Sequence, residues 1–498
     1  MKNKQLTLVV VSLLVVVLSV SLAYFTAQII GKGKDVSVTS TNLQIVFTDT
    51  DGEIAGADIE PGWQKTKTFT VQNNSKSEYK YNIVIKNLVN TFVTNGYLQY
   101  KITSTNNGYN MTEFKDIPKS SVATDTILAY SVVIPNGVTQ SYTIEFKYVN
   151  DESVDQSDDM GRKLSGTLFI TEGTEDPNKT LLTQLLVDKS TKLTRTDFSK
   201  VLTDNNTNTL YTSTEDSKTV YYFAGNATDN WVKFGKNASN QDLYWRIIRT
   251  NSDGSVRLLY HGTSTTAENA YIGTSAFNSN VDNIAYVSYM YGSLGSIPNA
   301  RTNQTNSSTI KTIIDNWYTS NLEAKGYTKY LSTTAVYCND RTYTIDGSFT
   351  NFGARTRLET NKTPSYDCAT TEDKFTVDTS TGNGKLTYPI ALMTADEVSF
   401  AGGLYVNNAP TWYYYNSANG SSTGSTFWWL LSPAYWYDSV ALVFRVLGSS
   451  GPGSFNRNSV NNAYGVRPAI SLKSCTLYST GNGSASDPYT IEETTSGC

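Results

Sequence analysis

Between residues 35 and 172 the chain alternates short runs of β-branched and aromatic residues with polar turns. The dipeptides Asp51-Gly52 and Pro61-Gly62 supply tight turns, because glycine accepts a positive φ without steric cost. Short alternating strands at this spacing are typical of an antiparallel β-sandwich. The predicted strands are residues 43–47, 67–71, 79–85, 127–134, 142–148 and 164–170.

The first 34 residues have the pattern of an export segment. An apolar run at residues 6–25 is flanked by two lysines on each side. The run is long enough, at about 20 residues, to span a bilayer as a retained anchor. The sequence Ser21-Leu22-Ala23 matches the small-x-small pattern of a cleavage site and favours a cleaved signal peptide. The balanced lysines leave the topology open.

Four motifs around this segment resemble the TasA and camelysin family over the first third of the chain. The resemblance implies a jelly-roll domain, released by a signal peptidase of the SipW type so that the mature chain starts near Tyr24. In that family the domain builds extracellular fibres by donating its N-terminal segment as a strand to the next subunit. Camelysins are also described as metalloproteases. That activity is not implied here, because the single histidine, His261, lies outside the domain and no H-E-x-x-H motif is present. The motifs are Ala23-Tyr24-Phe25-Thr26, Thr41-Asn42-Leu43-Gln44-Ile45, Ile59-Glu60-Pro61-Gly62 and Phe69-Thr70-Val71-Gln72-Asn73-Asn74.

A polar, acidic stretch at residues 171–178 predicts the end of the sandwich, which we assign to residues 35–172. Beyond it, four leucines between residues 181 and 186 recur at helical spacing. Residues 173–219 are therefore predicted to form a linker that contains one short packing helix.

From residue 220 the pattern becomes mixed. Residues 243–249 and 256–260 are predicted strands of a hairpin. Apolar side chains at helical spacing over residues 310–322, with Ser308 as a cap, predict a helix that packs on a sheet.

A second helix is predicted to start at Thr394 and Glu397, which match a capping box and are therefore structural residues. Gly402-Gly403 can end this helix.

This mixture of helices and scattered strands resembles the C-type-lectin-like fold of bacterial surface proteins of uncharacterised function. The same fold class contains the formylglycine-generating enzymes and receptor-like proteins diversified by retroelements, whose variable side chains would correspond to residues 434–462. The enzymatic activity is not implied, because the enzymes use paired cysteines in the body of the fold, whereas Cys475 and Cys498 lie in or beside a Gly/Ser-rich tail at residues 475–498. The domain is predicted to cover residues 220–474. The matching stretches are residues 245–249, 337–341, 386–403 and 427–472.

Two apolar frames, residues 428–433 and 465–470, bracket an aromatic insert at residues 434–464. The insert has three charged residues and no histidine, cysteine or glutamate, so it is poor in catalytic and metal-binding chemistry. Exposed aromatic residues among Ser, Gly and Asn are typical of recognition surfaces. Core packing is the alternative for the first three aromatic residues. The predicted ligand-binding residues are Tyr435, Trp436, Tyr437, Asp438, Phe444, Arg445, Phe455 and Arg457.

Structural roles are predicted for residues of the two apolar segments that bracket the insert. Strand alternation would send one of Trp428 and Trp429 inward and the other outward. Arg467 precedes a proline, so its backbone should be extended, and its guanidinium is predicted to pin the final strand through a carboxylate or carbonyls.

Composition narrows the choice of fold and partner. The 498 residues exceed one hydrophobic core and suggest two or three domains. Aromatic residues make up 12% of the chain, and richness in Thr, Ser, Asn and Gly favours strands and turns. Forty basic residues against 44 acidic ones leave a net charge of −4, so no binding surface for nucleic acid is predicted. The predicted fold class is mostly β, a jelly-roll β-sandwich followed by an α+β domain.

Four cysteines in an exported chain predict disulfides, which persist only in an oxidising compartment. Four cysteines allow three connectivities, and free thiols are the alternative. The absence of a C-x-x-C motif argues against zinc. The predicted pairs are Cys338 with Cys368 and Cys475 with Cys498.

No cofactor is predicted, apart from a weak calcium site in the acidic loop that contains Asp155, Asp158 and Asp159. Surface carboxylates that are simply solvated are the alternative for this loop.

These patterns favour an extracellular or cell-surface bacterial protein without enzymatic activity, an adhesin-like binder of a protein or glycan through the insert. A fibre-forming subunit of a biofilm matrix, assembled by strand donation, is the alternative. A hydrolase is a third option, disfavoured because no nucleophile with a base, carboxylate pair or metal cluster stands out. The expected partners are the surface ligand, further copies of the chain and the signal peptidase.

Overall fold

The computed structural model describes residues 59–111, 113–174, 176–204, 207–266, 270–407, 427–447 and 454–498, and the backbone alone of five short strands between and before these ranges. The fold is mostly β, which confirms the predicted class. The chain divides into two compact units, Met1–Pro177 and Asn178–Cys498. The predicted export segment and the start near Tyr24 lie outside the described residues. Among the described residues, no helix is both long and apolar enough to cross a membrane.

The first unit consists of two antiparallel sheets. Its strands are β1 (Val36–Ser40), β2 (Leu43–Asp49), β3 (Glu53–Ala55), β4 (Gln64–Asn73), β5 (Tyr79–Asn90), β6 (Leu98–Ser104), β7 (Lys115–Asp116), β8 (Ser120–Ile134), β9 (Thr139–Tyr148) and β10 (Leu164–Glu172). Six strands pair in the order β1-β2-β4-β9-β6-β7, and four in the order β3-β10-β5-β8. Both sheets contribute to one apolar core, with Phe69 and Val71 from β4 and Tyr81 and Ile83 from β5. The predicted sandwich layers are therefore present.

The acidic loop of this unit is anchored by hydrogen bonds. Asp159 is buried and accepts bonds from the Val93 amide at 2.7 Å and from the Tyr148 hydroxyl at 2.9 Å. Asp155 caps the amide of Ser157 at 2.9 Å. Within the described part of the chain, no group of three or more His, Cys, Asp or Glu side chains is placed to hold a metal ion. Calcium binding at this loop stays a prediction, and Asp159 has a structural role without it.

The second unit combines strands with five short helices among the described residues. Its first elements are α1 (Leu181–Asp188), β11 (Thr191–Thr194), β12 (Thr209–Glu215), β13 (Lys218–Tyr222), β14 (Trp231–Lys236), β15 (Asp242–Thr250), β16 (Val256–Gly262), β17 (Thr274–Ser275), β18 (Met290–Tyr291), α2 (Ile297–Arg301), β19 (Asn306–Ser307), α3 (Thr309–Tyr318), β20 (Tyr337–Cys338), β21 (Tyr343–Asp346), β22 (Phe349–Phe352) and α4 (Gly353–Arg355). Then follow β23 (Lys374–Phe375), β24 (Ile390–Leu392), α5 (Ala395–Phe400), β25 (Tyr415–Asn416), β26 (Ser421–Ser422), β27 (Trp428–Tyr437), β28 (Val440–Val446), β29 (Phe455–Ser459), β30 (Tyr464–Gly465), β31 (Pro468–Leu472), β32 (Tyr478–Thr480) and β33 (Tyr489–Ile491).

Two large sheets organise this unit. One follows the order β11-β12-β13-β15-β14-β33-β32, and its strand β15 also pairs with β16, which continues through β31 to β24. The other follows the order β17-β30-β27-β22-β21, and β28 extends it from β27 to β29. The predicted hairpin is β15–β16. The predicted helix with the Ser308 cap is α3, in which the cap side chain accepts a bond from the Lys311 amide and a π-helical turn, Thr319–Glu323, continues the chain.

The structure corrects the predicted linker and tail. In α1, Leu181 and Leu185 belong to the core of the second unit, and β11 to β13 extend its larger sheet. The tail is equally integral, because β33 pairs in parallel with β14 and Tyr489 is fully buried. Both segments are polar or glycine-rich in sequence, and only a few inward-facing apolar residues mark them as part of the fold.

His261, at the end of β16, lies in a buried cluster of cationic and aromatic side chains. Its ring meets that of Trp231 edge-on at 4.4 Å, and its Nδ1 atom is 3.5 Å from an Arg467 guanidinium nitrogen. The Arg246 guanidinium lies 4.2 Å from the Trp231 ring centroid. Burial, and then the positive charges of Arg467 and Arg246, hold the pKa of His261 well below its ordinary value. The folded protein therefore keeps this histidine neutral.

We expect this histidine to make the second unit sensitive to acid. The unfolded chain takes up a proton near a pKa of ~6.5, whereas the folded chain does not, so unfolding becomes easier as pH falls below that value, by up to about 1.4 kcal/mol per pH unit. Denaturant unfolding between pH 7.5 and 5 should show this slope in the wild type and a shallower slope in His261→Gln. Equal slopes in both proteins would contradict the assignment.

Candidate functional site

The hairpin β27–β28 carries the centre of the predicted insert. Its turn residues Asp438 and Ser439 have φ angles of 49° and 64°, and both are exposed. Two consecutive residues with positive φ are typical of a type I′ turn, whose twist matches the twist of the two strands. The turn therefore presents Tyr437, which is 42% exposed, at the end of β27.

Three rings form an aromatic stack, which we define as Phe349, Tyr435 and Tyr437. The ring of Phe349 stacks on Tyr437 with centroids 4.4 Å apart and on Tyr435 at 5.6 Å. The two tyrosine rings are 6.1 Å apart. Pairing of Asn351 in β22 with Tyr435 in β27 places Phe349, two residues before Asn351, on the same face of the sheet.

Trp436 lies on the opposite face, as strand alternation requires. It is half-buried and packs against the core of the unit. The structure therefore divides the predicted trio, because Tyr435 and Tyr437 belong to the aromatic stack and Trp436 does not.

Two arginines border the aromatic stack. The Arg355 guanidinium lies 4.4 Å from the Tyr435 ring centroid, and the Arg457 guanidinium lies 5.6 Å from it. Glu359 accepts hydrogen bonds from both, at 3.1 Å from Arg355. Arg457 also donates to the Tyr405 hydroxyl. Flat rings with hydrogen-bonding groups at their edge can contact the apolar faces and the polar rim of one ligand at the same time.

Phe444 and Phe455 correct the prediction, because both are fully buried and pack together with ring centroids 5.8 Å apart. They support β28 and β29 from within and are not available to a ligand. Both Trp428 and Trp429 are also fully buried, so the expected outward indole is wrong. The reason is that both faces of β27 are buried over its first seven residues, so alternation does not separate core from solvent there.

The other insert arginine, Arg445, lies on β28 between two aromatic rings. Its guanidinium is 4.0 Å from the Phe427 ring centroid and 4.8 Å from that of Tyr464. Its side chain is nearly buried, and burial lowers its pKa below the ordinary arginine value.

Arg467 has the structural position that the sequence suggested. It is fully buried, donates to the Tyr260 carbonyl at 3.2 and 3.3 Å, and lies 4.7 Å from the Trp428 ring centroid. These contacts tie the start of β31 to β16.

A buried network of ion pairs surrounds α5. The predicted capping box is present, since Thr394 accepts from the Glu397 amide and Glu397 accepts from the Thr394 amide. Glu397 Oε1 also accepts from Arg249 at 2.9 Å and from Arg257 at 2.8 Å. Burial alone would raise the pKa of Glu397, but the two guanidiniums bring it below its ordinary value. Arg249 in turn donates to Glu215 at 2.7 Å.

Next to this network lies a small polar cavity of about 20 Å³, enough for a single water molecule. Arg357 borders it and binds Asp396 through two nitrogens, at 2.9 and 3.0 Å, and Asp340 at 2.6 Å. Each acidic residue of these pairs already holds an arginine. The arrangement is therefore that of a structural network rather than of an acid–base pair.

The two predicted disulfides are confirmed. Cys338 is bonded to Cys368 and Cys475 to Cys498, with Cα atoms 5.7 and 5.5 Å apart. The first bond borders the polar cavity, and the second fixes the segment that contains β32 and β33.

The aromatic stack and its border are completed by four residues that the sequence patterns did not mark, Phe349, Arg355, Glu359 and Tyr405. A local pattern could have marked the first of them, because Asp346-Gly347 between alternating residues is typical of a hairpin turn. Their approach to the insert depends on long-range pairing of β22 with β27, which no local pattern specifies.

Neutralising Glu397 should test the ion-pair network. In Glu397→Gln the side-chain carbonyl can still cap α5, but two buried arginines lose their shared negative charge. We expect the free energy of unfolding of the second unit to fall by about 3–5 kcal/mol. Lys200→Gln, which breaks an exposed pair with Asp197, is the control and should leave denaturant unfolding unchanged. An equally small effect of both substitutions would contradict the network's structural role.

No protein-family model, curated protein or solved structure matches this chain. Its function must therefore be inferred from the contacts of its own residues.

Proposed function

We propose that this chain is an exported bacterial surface protein whose second unit binds a glycan or protein ligand through the aromatic stack. The observation that carries the proposal is the stack itself, in which three rings lie on one sheet face beside two arginines. Rigid aromatic side chains give large contact area at low entropic cost, and arginine is enriched with them at binding hot spots.

The setting of the stack supports a role in recognition rather than catalysis. Glu359 is the carboxylate that contacts the two bordering arginines, and it is engaged by both of them. Asp438, on the adjacent turn, is exposed and lies in a two-residue hairpin loop. These groups can orient a ligand through hydrogen bonds, while the rings supply apolar contact.

The disulfides support an extracellular location. Disulfides persist in oxidising compartments and are rare in reducing ones. Two such bonds, together with the predicted export segment, fit a protein that acts outside the cytoplasm.

We expect that removing two of the three rings of the aromatic stack weakens ligand capture while folding is kept. The chain starting at Tyr24 would be applied to an array of bacterial and host glycans and to an array of extracellular-matrix proteins. The double variant Phe349→Ala, Tyr437→Ala should bind the captured ligand at least about tenfold more weakly, since aromatic anchors carry much of such interfaces.

The matched control for this experiment is Tyr343→Ala. Tyr343 is 39% exposed on β21 and pairs with Phe352, which places it on the sheet face opposite the stack. Its loss should leave capture unchanged. Equal binding by wild type and the double variant, with unchanged circular dichroism, would overturn the proposed site.

A second candidate function, a fibre-forming matrix subunit, is favoured by one observation in the first unit. Strand β8 is the last described strand of its sheet, and five consecutive residues of it, 121–125, are exposed. Val122 alone is 71% exposed. An uncovered edge of this length can accept a donated strand from another copy of the chain.

Electron microscopy of the chain starting at Tyr24 tests this alternative. Filaments that disappear when residues 24–34 are deleted, or when a charge is added in Val122→Lys, would support strand donation at this edge. Val187→Lys, which changes a valine that is 70% exposed on α1, is the control and should leave filaments intact. Persistent monomers of the wild-type chain would exclude self-assembly through this route.

A further inference from the structure

Arg445 is a buried cation whose donors are incompletely used. Its side chain is only 8% exposed, and its Nε and Nη1 atoms have no hydrogen-bond partner among the described residues. Burying a charged group without hydrogen bonds is costly, and a buried guanidinium normally binds a carboxylate or carbonyl oxygens. The rings of Phe427 and Tyr464 hold its plane, with centroids 4.0 and 4.8 Å from the guanidinium, but they fill neither donor.

This group is separate from the aromatic stack. On β28, Leu442 pairs with Tyr435 and Phe444 pairs with Arg457, so even-numbered residues face the stack. Arg445 alternates with them and faces the other side, where its cross-strand neighbours are Trp429 and Asn456. The two faces therefore offer two different environments on one hairpin.

No acidic residue of this part of the chain is placed to neutralise Arg445. Asp438 is the only aspartate or glutamate between Glu397 and Asp487. It lies at the hairpin turn, and Arg445 is five residues beyond Val440 on β28, which corresponds to roughly 16 Å of extended strand. The flanking Tyr464 hydroxyl is itself engaged by an uncharged group, since it accepts a hydrogen bond from the Asn458 side-chain amide at 2.6 Å.

We propose that Arg445, with Phe427 and Tyr464, forms a binding site for a ligand carboxylate, distinct from the aromatic stack. A planar guanidinium binds carboxylate oxygens through charge-assisted N–H···O hydrogen bonds, and the flanking rings exclude water from such a pair. A carboxylate carries one negative charge and balances one arginine. A phosphate group, with a charge of about −1.5 to −2, would leave excess negative charge in a nearly buried site.

Two sources of carboxylate fit this chemistry, a sugar acid and the carboxyl end of a peptide. Isothermal titration of the chain starting at Tyr24 would use glucuronate and N-acetylglycine as probes. Glucose and N-acetylglycinamide are their neutral counterparts. We expect saturable binding of at least one carboxylate and none of its neutral counterpart. Binding of glucuronate alone would assign a sugar acid, and binding of N-acetylglycine alone a peptide terminus. Binding of both would assign the carboxylate itself.

Substitution of the arginine gives the decisive comparison. Arg445→Gln should weaken binding of the carboxylate at least tenfold. Arg445→Lys should weaken it less, because lysine keeps the positive charge although it lacks the planar set of guanidinium donors. Arg162→Gln, at an exposed arginine of the first unit, is the control for general charge effects and should bind as the wild type does. No saturable binding of either carboxylate to the wild type, or equal binding by Arg445→Gln, would overturn the proposal.

A measurement on the unsubstituted side chain covers the case in which Arg445→Gln does not fold. In arginine Nε–Hε correlation spectra, the signal that is lost in Arg445→Lys should move on addition of the carboxylate and stay in place with its neutral counterpart. A signal that moves equally with both would also overturn the proposal. Because this site and the aromatic stack lie on opposite faces, loss of the stack should leave carboxylate binding intact, so the two proposals can fail separately.

Discussion

The fold of the second unit depends on one buried carboxylate, that of Glu397, which connects a helix to two strands of the larger sheet. Glu397 caps α5 through the Thr394 amide and at the same time accepts from Arg249 of β15 and Arg257 of β16. A helix start and two neighbouring strands therefore meet at one charge. In a buried position this charge is stable only with both arginines present, and each arginine is stable only with a carboxylate partner. The sheet, the helix and the polar cavity beside them are thus fixed relative to one another.

Away from this network, the interior of the second unit places arginines against indole and phenol rings. Arg246 lies 4.2 Å from the Trp231 ring centroid and Arg467 lies 4.7 Å from that of Trp428. Both also donate to main-chain carbonyls, at Ala227 and Tyr260 respectively. Guanidiniums are weakly hydrated and planar, so they can lie in such layers at lower cost than an ammonium group. Arg445 also lies between aromatic rings, but two of its nitrogen donors have no hydrogen-bond partner among the described residues. This difference sets it apart from Arg246 and Arg467.

Local patterns predicted elements well wherever a cap, a periodic apolar face or a hairpin turn marked them. The Ser308 cap, the Thr394 capping box and the β15–β16 hairpin are present for the reasons that the residues suggested. The predicted limits of the second domain were wrong where a segment joins the fold only through contacts with residues distant in sequence. The segments that contain α1, β11 to β13 and β33 are polar or glycine-rich, and they join the fold through packing and strand pairing with distant residues. Phe444 was misassigned for a related reason, since only the tertiary structure shows that an aromatic residue in a glycine- and serine-rich segment is covered by other parts of the chain.

The position of β33 sets the order in which the chain can fold. Val232 of β14 pairs with Tyr489, so most of the second unit must be synthesised before the edge of β14 is covered. Contacts between residues so far apart close large loops and form slowly. Until then an unpaired strand edge is available to other chains, which is the usual starting point of aggregation. The first unit, whose strands pair within Met1–Pro177, has no such delay and can complete its sheets while the second is still incomplete.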